Sequence, residues 1–288
     1  YACFGYERMM PKLDTANPEV RDYFAAVGAY WVREFHIDGW RLDVASEVDD
    51  GFWRAFREAV KGENPDTLLI GEVWESAGHW LGGDMFDSTM NYDFRKHCRR
   101  FFGGRSIDAA EFSGRLTNML TRYRLQLLPA QLNLLDSHDV SRFLSLCGGD
   151  ARSYRLAVLF LMSFIGMPTI FYGDELGVRG VLEAEYRAPM LWQGGDTVLL
   201  EFFKRAIAMR HDLAPLRRGD FRVLSAQAGS GLLVFQRRYG GQTVTAALNC
   251  APDAARLPAC PGRVYWAEGL ENNALTGFGF AVLVDGQA

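Results

Sequence analysis

The sequence predicts an α/β fold made of parallel strands joined by crossover helices, followed by a smaller all-β domain. Strand-like apolar runs alternate with helical patterns up to about residue 212, and short alternating runs separated by Gly, Pro and Asp take over from residue 213. The 288 residues are 49% hydrophobic with a net charge of -4, which is typical of a soluble globular protein and gives no electrostatic reason to expect nucleic acid or an anionic membrane as a partner.

The first elements alternate helix and strand. Residues 18–34 carry apolar side chains at helical spacing, and the short run "IDGWRLDVA" at 37–45 follows as a strand. A second helix is predicted over 47–62, with Gly62 ending it. The apolar run "DTLLIGEVW" at 66–74 then indicates a strand buried on both faces.

The alternation of strands and helices continues to the end of the first domain. Three further strands are predicted at 85–91, 129–139 and 167–175, and three helices at 108–125, 151–165 and 197–211. The apolar stretch 156–168 is too short to span a bilayer, so we expect a buried helix there. These elements predict a domain over residues 1–212 and an all-β domain over 213–288.

Polar residues follow the stronger strands where each one ends. They are Arg41 with Asp43, Glu72, His138 with Asp139, and Asp174 with Glu175. Active sites of α/β barrels lie at the carboxyl ends of the strands, whereas a single Asp at such a place more often caps the next helix. Several carboxylates crowded together cost stability unless they serve a site, so the set as a whole favours chemistry over capping.

The five cysteines are scattered and lack C-x-x-C spacing, so the sequence suggests neither a disulfide framework nor a zinc site. No signal peptide is visible, and we expect a cytoplasmic protein in a reducing compartment. No metal site is predicted, no cofactor is required, and calcium binding stays open.

Several motifs occurring in order resemble one known family. "MPKL", "GWRLDVASEVD", "GEVWE", "LLDSHDVSRFL" and "GMPTIFYGDELG" are similar to the successive signatures of glycoside hydrolase family 13, the α-amylase family. "MPKLDTANPEV", "DVASEVD" and "FDSTMNY" are closest to its cyclomaltodextrinase, neopullulanase and maltogenic amylase branch. The resemblance implies a (β/α)8 TIM barrel, with residues 1–212 forming its C-terminal part from about strand four to strand eight, and a small antiparallel β-sandwich domain after it.

The resemblance also implies roles for three carboxylates. Asp43 matches the catalytic nucleophile, Glu72 the general acid/base, and Asp139 the carboxylate that stabilises the transition state. The implied activity is retaining hydrolysis of α-1,4-glucosidic bonds in maltodextrins, cyclodextrins, starch or pullulan. A retaining glycosidase needs two carboxyl groups about 5 Å apart. The apolar neighbours of Glu72 are expected to raise its pKa and so retain the proton for donation.

Further residues are assigned to the substrate site. Arg41 lies two residues before Asp43, on the same strand face, where its charge keeps the nucleophile ionised. His138, together with Asp139, is expected to bind hydroxyl groups of the sugar. Glu47 is assigned to the substrate groove. Aromatic side chains that could stack on glucose rings are Trp74, Trp80, Tyr92 and Phe94.

The sequence departs from the family pattern in places. Ser46 replaces the usual Asn, Glu75 stands where a His often follows Trp, and the early signatures are absent. We therefore expect the N-terminal part of the barrel to be supplied separately, with self-association as a homodimer as the alternative, and residues 1–288 alone to be inactive. An α-glucosidase or transglycosylase of the same family, a non-catalytic family member and a carbohydrate-binding fragment are the alternative functions.

Overall fold

The computed structural model describes residues 1–286 and divides into two compact units. One unit comprises Tyr1–Tyr92 with Arg122–Leu132, and the other comprises Asp93–Thr121 with the chain from Asn133 onward. The predicted domain boundary near residue 212 stays a prediction. The helices that follow Asn133 share one large apolar core with the C-terminal sheet, so they form one compact body with it.

The first unit contains two helices and three parallel strands. These are α1 (Pro18–Phe35), β1 (Gly39–Leu42), α2 (Asp50–Glu63), β2 (Leu68–Gly71) and β3 (Ser88–Asn91). Gly39 pairs with Leu68 between β1 and β2, and Ile70 pairs with Ser88 between β2 and β3. The predicted alternation of strands and helices is therefore present.

Side chains at the helix starts explain where α1 and α2 begin. Asn17 caps α1 by accepting a 2.9 Å hydrogen bond from the Glu19 N–H, and Asp49 caps α2 by accepting one of 3.0 Å from the Phe52 N–H. The predicted end of α2 at Gly62 is one residue early, because the helix continues through Glu63.

The second unit contains most of the remaining elements before the C-terminal sheet. The helices are α3 (Tyr92–Cys98), α4 (Ala109–Thr121), α5 (Phe143–Leu146), α6 (Ala151–Ser163), α7 (Glu183–Tyr186), α8 (Thr197–Asp212) and α9 (Ala214–Arg218), and the strands are β4 (Leu132–Leu134) and β5 (Met167–Thr169). The sheet order is β1-β2-β3-β4-β5, as in a partial barrel. Most of α6 is buried, which confirms the helix predicted for the apolar stretch.

The C-terminal strands form one antiparallel sheet. They are β6 (Arg222–Ala226), β7 (Leu232–Tyr239), β8 (Gln242–Asn249), β9 (Ala255–Arg256), β10 (Arg263–Glu271) and β11 (Ala274–Asp285), ordered β10-β11-β8-β7-β6 with β9 on β11. Leu233 and Phe235 point into the core shared with the helices, while Leu232 and Val234 pack in a smaller cluster with Leu257. The antiparallel strands are as predicted, whereas the two-sheet sandwich is not confirmed, since the described strands pair along one path.

Among residues 1–286, none of the helices combines the length and apolar character that crossing a bilayer requires.

Candidate active site

One arginine joins two carboxylates at the ends of β1 and β2. Arg41 contacts Asp43 Oδ1 through one guanidinium nitrogen and Glu72 Oε1 at 2.8 Å through another. The parallel pairing of the two strands places their ends side by side, so these residues meet although 29 positions separate Asp43 from Glu72 in the numbering. The structure therefore brings Arg41, Asp43 and Glu72 together.

The turn after β1 is tied firmly to Glu72. The Glu72 carboxylate accepts a 2.9 Å hydrogen bond from the Val44 N–H, its backbone N–H donates to the Leu42 carbonyl at 2.8 Å, and its carbonyl accepts from the Ala45 N–H at 3.0 Å. Val44 has a φ of 41°, a left-handed conformation that is strained for a β-branched residue. These three hydrogen bonds hold the strained turn in place, so the position of Asp43 relative to Glu72 is built into the backbone.

Gly71, the last residue of β2, lies directly against the Phe86 ring. A β-carbon on Gly71 would lie 2.6 Å from the Phe86 ring, closer than any side chain tolerates. The phenyl ring therefore packs directly on the β2 backbone. A larger residue at this position would displace the end of β2 and the Glu72 side chain with it.

The two carboxylates have different surroundings. The side chain of Asp43 is 68% exposed and that of Glu72 is 4% exposed. Two hydrogen-bond donors contact Glu72, so its surroundings are more polar than its apolar sequence neighbours predict. Carboxyl groups in contrasting environments can take different roles, one as an attacking carboxylate and one as a proton donor.

Asp139 and His138 lie in the second unit, after β4. His138 Nε2 is 3.0 Å from Asp139 Oδ2, and the guanidinium of Arg187 donates to Asp139 Oδ1 at 2.8 Å. Both carboxylate oxygens of Asp139 thus have a partner. No sequence signal pointed to Arg187, because it lies 48 residues further along the chain and outside the family motifs.

A buried charged cluster that the sequence reasoning missed lies beside this segment. Arg142, Asp136 and Asp174 are each at most 4% exposed, and Arg142 pairs with Asp174 at 2.9 Å. Burial raises the pKa of Asp136 to about 6, although the Phe143 N–H and Arg95 oppose the shift. Burial and the neighbouring Asp136 raise the pKa of Asp174 well above its usual range.

The raised pKa of Asp136 predicts a pH dependence of stability. The folded state binds this proton more tightly than the unfolded state, whose Asp pKa is about 3.9. The contribution of Asp136 to the free energy of unfolding is therefore present at low pH and is lost as pH rises to about 6. Asp136→Asn cannot ionise, so we expect its stability relative to wild type to increase from about pH 4 to about pH 6 and then to level off.

Urea unfolding across this pH range measures the effect, and Asp150→Asn is the control. Arg152 lowers the pKa of Asp150, so removing that carboxylate should give a difference of opposite sign that develops at lower pH. Asparagine at position 150 still has a side-chain oxygen that can cap α6. The variant therefore removes the charge of Asp150 while keeping its capping hydrogen bond. A stability difference for Asp136→Asn that does not change with pH would show that Asp136 is not protonated preferentially in the folded protein.

The other predicted substrate residues have local partners. Trp74 is 48% exposed and stacks on Tyr92 at a centroid distance of 3.9 Å, so a sugar could use only the opposite indole face. Glu47 pairs with Lys12 at 2.8 Å and accepts from the Gly5 N–H, which lowers its pKa. Its assignment to the substrate groove stays a prediction.

Two of the proposed stacking aromatics are buried instead. Phe94 is fully buried and stacks on Phe160 in the apolar core, and Tyr92 is buried beneath Trp74. The prediction that Phe94 stacks on sugar is therefore wrong, because its position at a strand end did not reveal that α3 turns it inward.

Among the described residues, no group of three or more His, Cys, Asp or Glu side chains is arranged to hold a metal ion. Calcium binding stays an open prediction.

Parallel strands with crossover helices, whose ends carry two carboxylates on one arginine, define an α/β protein with a paired-carboxylate site of the glycosidase type. Residues 1–212 match the model of the α-amylase catalytic domain. The chain therefore belongs to the α-amylase family, glycoside hydrolase family 13, as its motifs predicted.

Named relatives are similar over most of this chain. A cyclomaltodextrinase of Geobacillus thermopakistaniensis is 44% identical over 98% of this chain and 48% of its own length. Neopullulanase 2 of Thermoactinomyces vulgaris is 48% identical over 83% of this chain and 41% of its own length. The acarbose-soaked debranching enzyme of Nostoc punctiforme is 31% identical, with a TM-score of 0.90, covering 100% of this chain and 65% of that one. The chain thus spans about half the length of the curated relatives.

Proposed function

We propose that the protein carrying this chain is a retaining α-glycoside hydrolase that cleaves α-1,4-glucosidic bonds of maltodextrins, cyclodextrins, starch or pullulan. The observation that carries the proposal is the Arg41 guanidinium in contact with both Asp43 and Glu72. The names of the relatives, cyclomaltodextrinase and neopullulanase, support this substrate class. A non-catalytic role would not require an exposed carboxylate held beside a buried one.

The proposed reaction is a double displacement. Asp43 attacks the anomeric carbon while Glu72 donates a proton to the departing glycosidic oxygen, which leaves a glycosyl group on Asp43. Glu72 then takes a proton from water as that water attacks the same carbon and releases Asp43. Asp139 and His138 are the proposed partners of the sugar hydroxyls, in interactions that strengthen as the ring flattens.

The remaining assignments follow from the family. The five parallel strands are proposed to be strands four to eight of the barrel, with upstream strands, or a second copy, as the partner of the open strand edges. All five cysteines are free, which supports the proposal of a reducing, cytoplasmic location.

Product analysis separates the proposed activity from that of an α-glucosidase or a transglycosylase. The full-length protein is incubated with cyclodextrin, pullulan, starch and maltotriose, and the products are separated over time. We expect ring opening of cyclodextrin and, from pullulan, release of short oligosaccharides that retain its α-1,6 bonds. Release of glucose alone from chain ends would favour an α-glucosidase, and products longer than the substrate would favour transglycosylation.

The double displacement predicts the configuration of the first product. Attack by Asp43 inverts the anomeric carbon and attack by water inverts it again, so the newly released sugar has the α configuration. Proton NMR during the first moments of hydrolysis, before mutarotation, measures this. An initial β product would mean a single displacement by water and would exclude Asp43 as the nucleophile.

A further inference from the structure

Asp139 is held at both oxygens by side chains of its own unit. Arg187 donates to Oδ1 at 2.8 Å, and His138 Nε2 lies 3.0 Å from Oδ2. Arg187 comes from the segment after α7, so the contact to Oδ1 joins two loops that are distant in sequence. One of the two contacts to the Asp139 carboxylate therefore comes from a residue outside the family motifs.

The backbone on either side of Arg187 is anchored. The Tyr186 carbonyl accepts a 3.1 Å hydrogen bond from Arg142, and the Ala188 carbonyl accepts one of 2.8 Å from the Tyr172 hydroxyl. Arg142 is itself completely buried and paired with Asp174. The carbonyls of both neighbours of Arg187 accept hydrogen bonds from separate donors, so the backbone at Arg187 is fixed. This positions the guanidinium to contact Asp139.

Arg187 also has a second partner. Its Nε lies 3.2 Å from Glu183 Oε1, one helical turn earlier, while its terminal nitrogen contacts Asp139. The planar guanidinium presents several N–H groups in fixed directions, so it can hold both carboxylates at once, which a lysine ammonium on a flexible stem does less well. The pairing with Glu183 is therefore a second contact that restrains the Arg187 side chain.

We propose that Arg187 is the positioning residue of Asp139, fixing that carboxylate in the orientation in which it receives the sugar hydroxyls. The inference rests on the proposed role of Asp139 in the hydrolase. Arg187 acts through Asp139 and need not touch the reacting bond. Its loss leaves one carboxylate oxygen without its charged donor, so the carboxylate can rotate away from the productive orientation.

The test uses Arg187→Ala in the full-length protein with maltodextrin or cyclodextrin as substrate. A misplaced group at a reacting centre can cost on the order of a hundredfold, so we expect kcat to fall by about that factor with a smaller change in KM. Methylguanidinium added to the assay should restore part of the activity, because the side chain of Arg187 is 44% exposed and its site is open to a small cation. Arg187→Lys should retain more activity than Arg187→Ala.

Arg179→Gln is the matched control. Arg179 is also an exposed arginine after β5, but it contacts the Gly149 carbonyl rather than a carboxylate. We expect its kinetics to equal those of the wild type. Equal losses in Arg179→Gln and Arg187→Ala would overturn the proposal, since the effect would then be a general one of surface charge.

A double-mutant cycle separates this inference from the proposed function. If Arg187 acts through Asp139, adding Arg187→Ala to Asp139→Asn should lower kcat no further. Additive losses, or an absence of methylguanidinium rescue, would overturn the positioning role while leaving Asp139 itself essential. Wild-type turnover in Asp139→Asn alone would instead overturn the proposed function of that carboxylate.

Discussion

Asp43→Asn and Glu72→Gln are each expected to lower kcat on α-1,4-glucans by several orders of magnitude while the protein remains folded. Asn cannot form the glycosyl ester, and Gln cannot donate a proton to the leaving oxygen. Each tenfold loss of rate is about 1.4 kcal/mol of barrier, so a thousandfold loss needs only about 4 kcal/mol. Turnover of maltodextrin measures the effect, and near-normal turnover in either variant would remove that residue from the proposed mechanism.

Azide distinguishes the two roles. With an α-glycosyl fluoride and Asp43→Gly, azide should replace the nucleophile and give a β-glycosyl azide by a single inversion. With Glu72→Ala, azide should attack the glycosyl ester on Asp43 and give an α-glycosyl azide. Glu58→Gln, on the exposed face of α2, is the control and should behave as wild type. The same azide anomer from both variants would contradict the separate assignments.

Much of the fold could be predicted because its strands and helices have clear periodicity. The strand ends at Asp43 and Glu72 follow apolar runs, and the structure shows these residues meeting through Arg41. The strand period of two predicted that Arg41 and Asp43 share a face, and the two side chains do contact each other although β1 ends at Leu42.

Tertiary packing accounts for what sequence reasoning missed. Arg187 contacts Asp139 although 48 positions separate them, and Arg142 contacts Asp174 although 32 positions separate them. Contacts between residues so far apart produce no periodic pattern in the sequence. Phe94 follows a strand yet belongs to the core, because α3 begins just before it and turns its ring inward.

Arg142→Met is expected to destabilise the folded protein strongly. Arg142 is completely buried, donates to Asp174 at 2.9 Å and to the Tyr172 carbonyl at 2.7 Å, and lies over the Phe171 ring. Methionine fills similar space but leaves Asp174 without its cation and two carbonyls without donors. Breaking a buried ion pair from one side costs about 3–5 kcal/mol. Denaturant unfolding at neutral pH measures the loss.

Two further variants decide whether the loss comes from the charge. Arg152→Met removes an arginine that pairs with Asp150, but the side chain is 65% exposed, so solvent screens the pair and we expect a much smaller change. In Arg142→Met with Asp174→Asn the carboxylate that paired with Arg142 is absent, so the double variant should be more stable than Arg142→Met alone. If the double variant is less stable than the wild type by the sum of the losses of the two single variants, the Arg142–Asp174 pair has no coupling energy. Arg142 then stabilises the fold through its carbonyl and ring contacts alone.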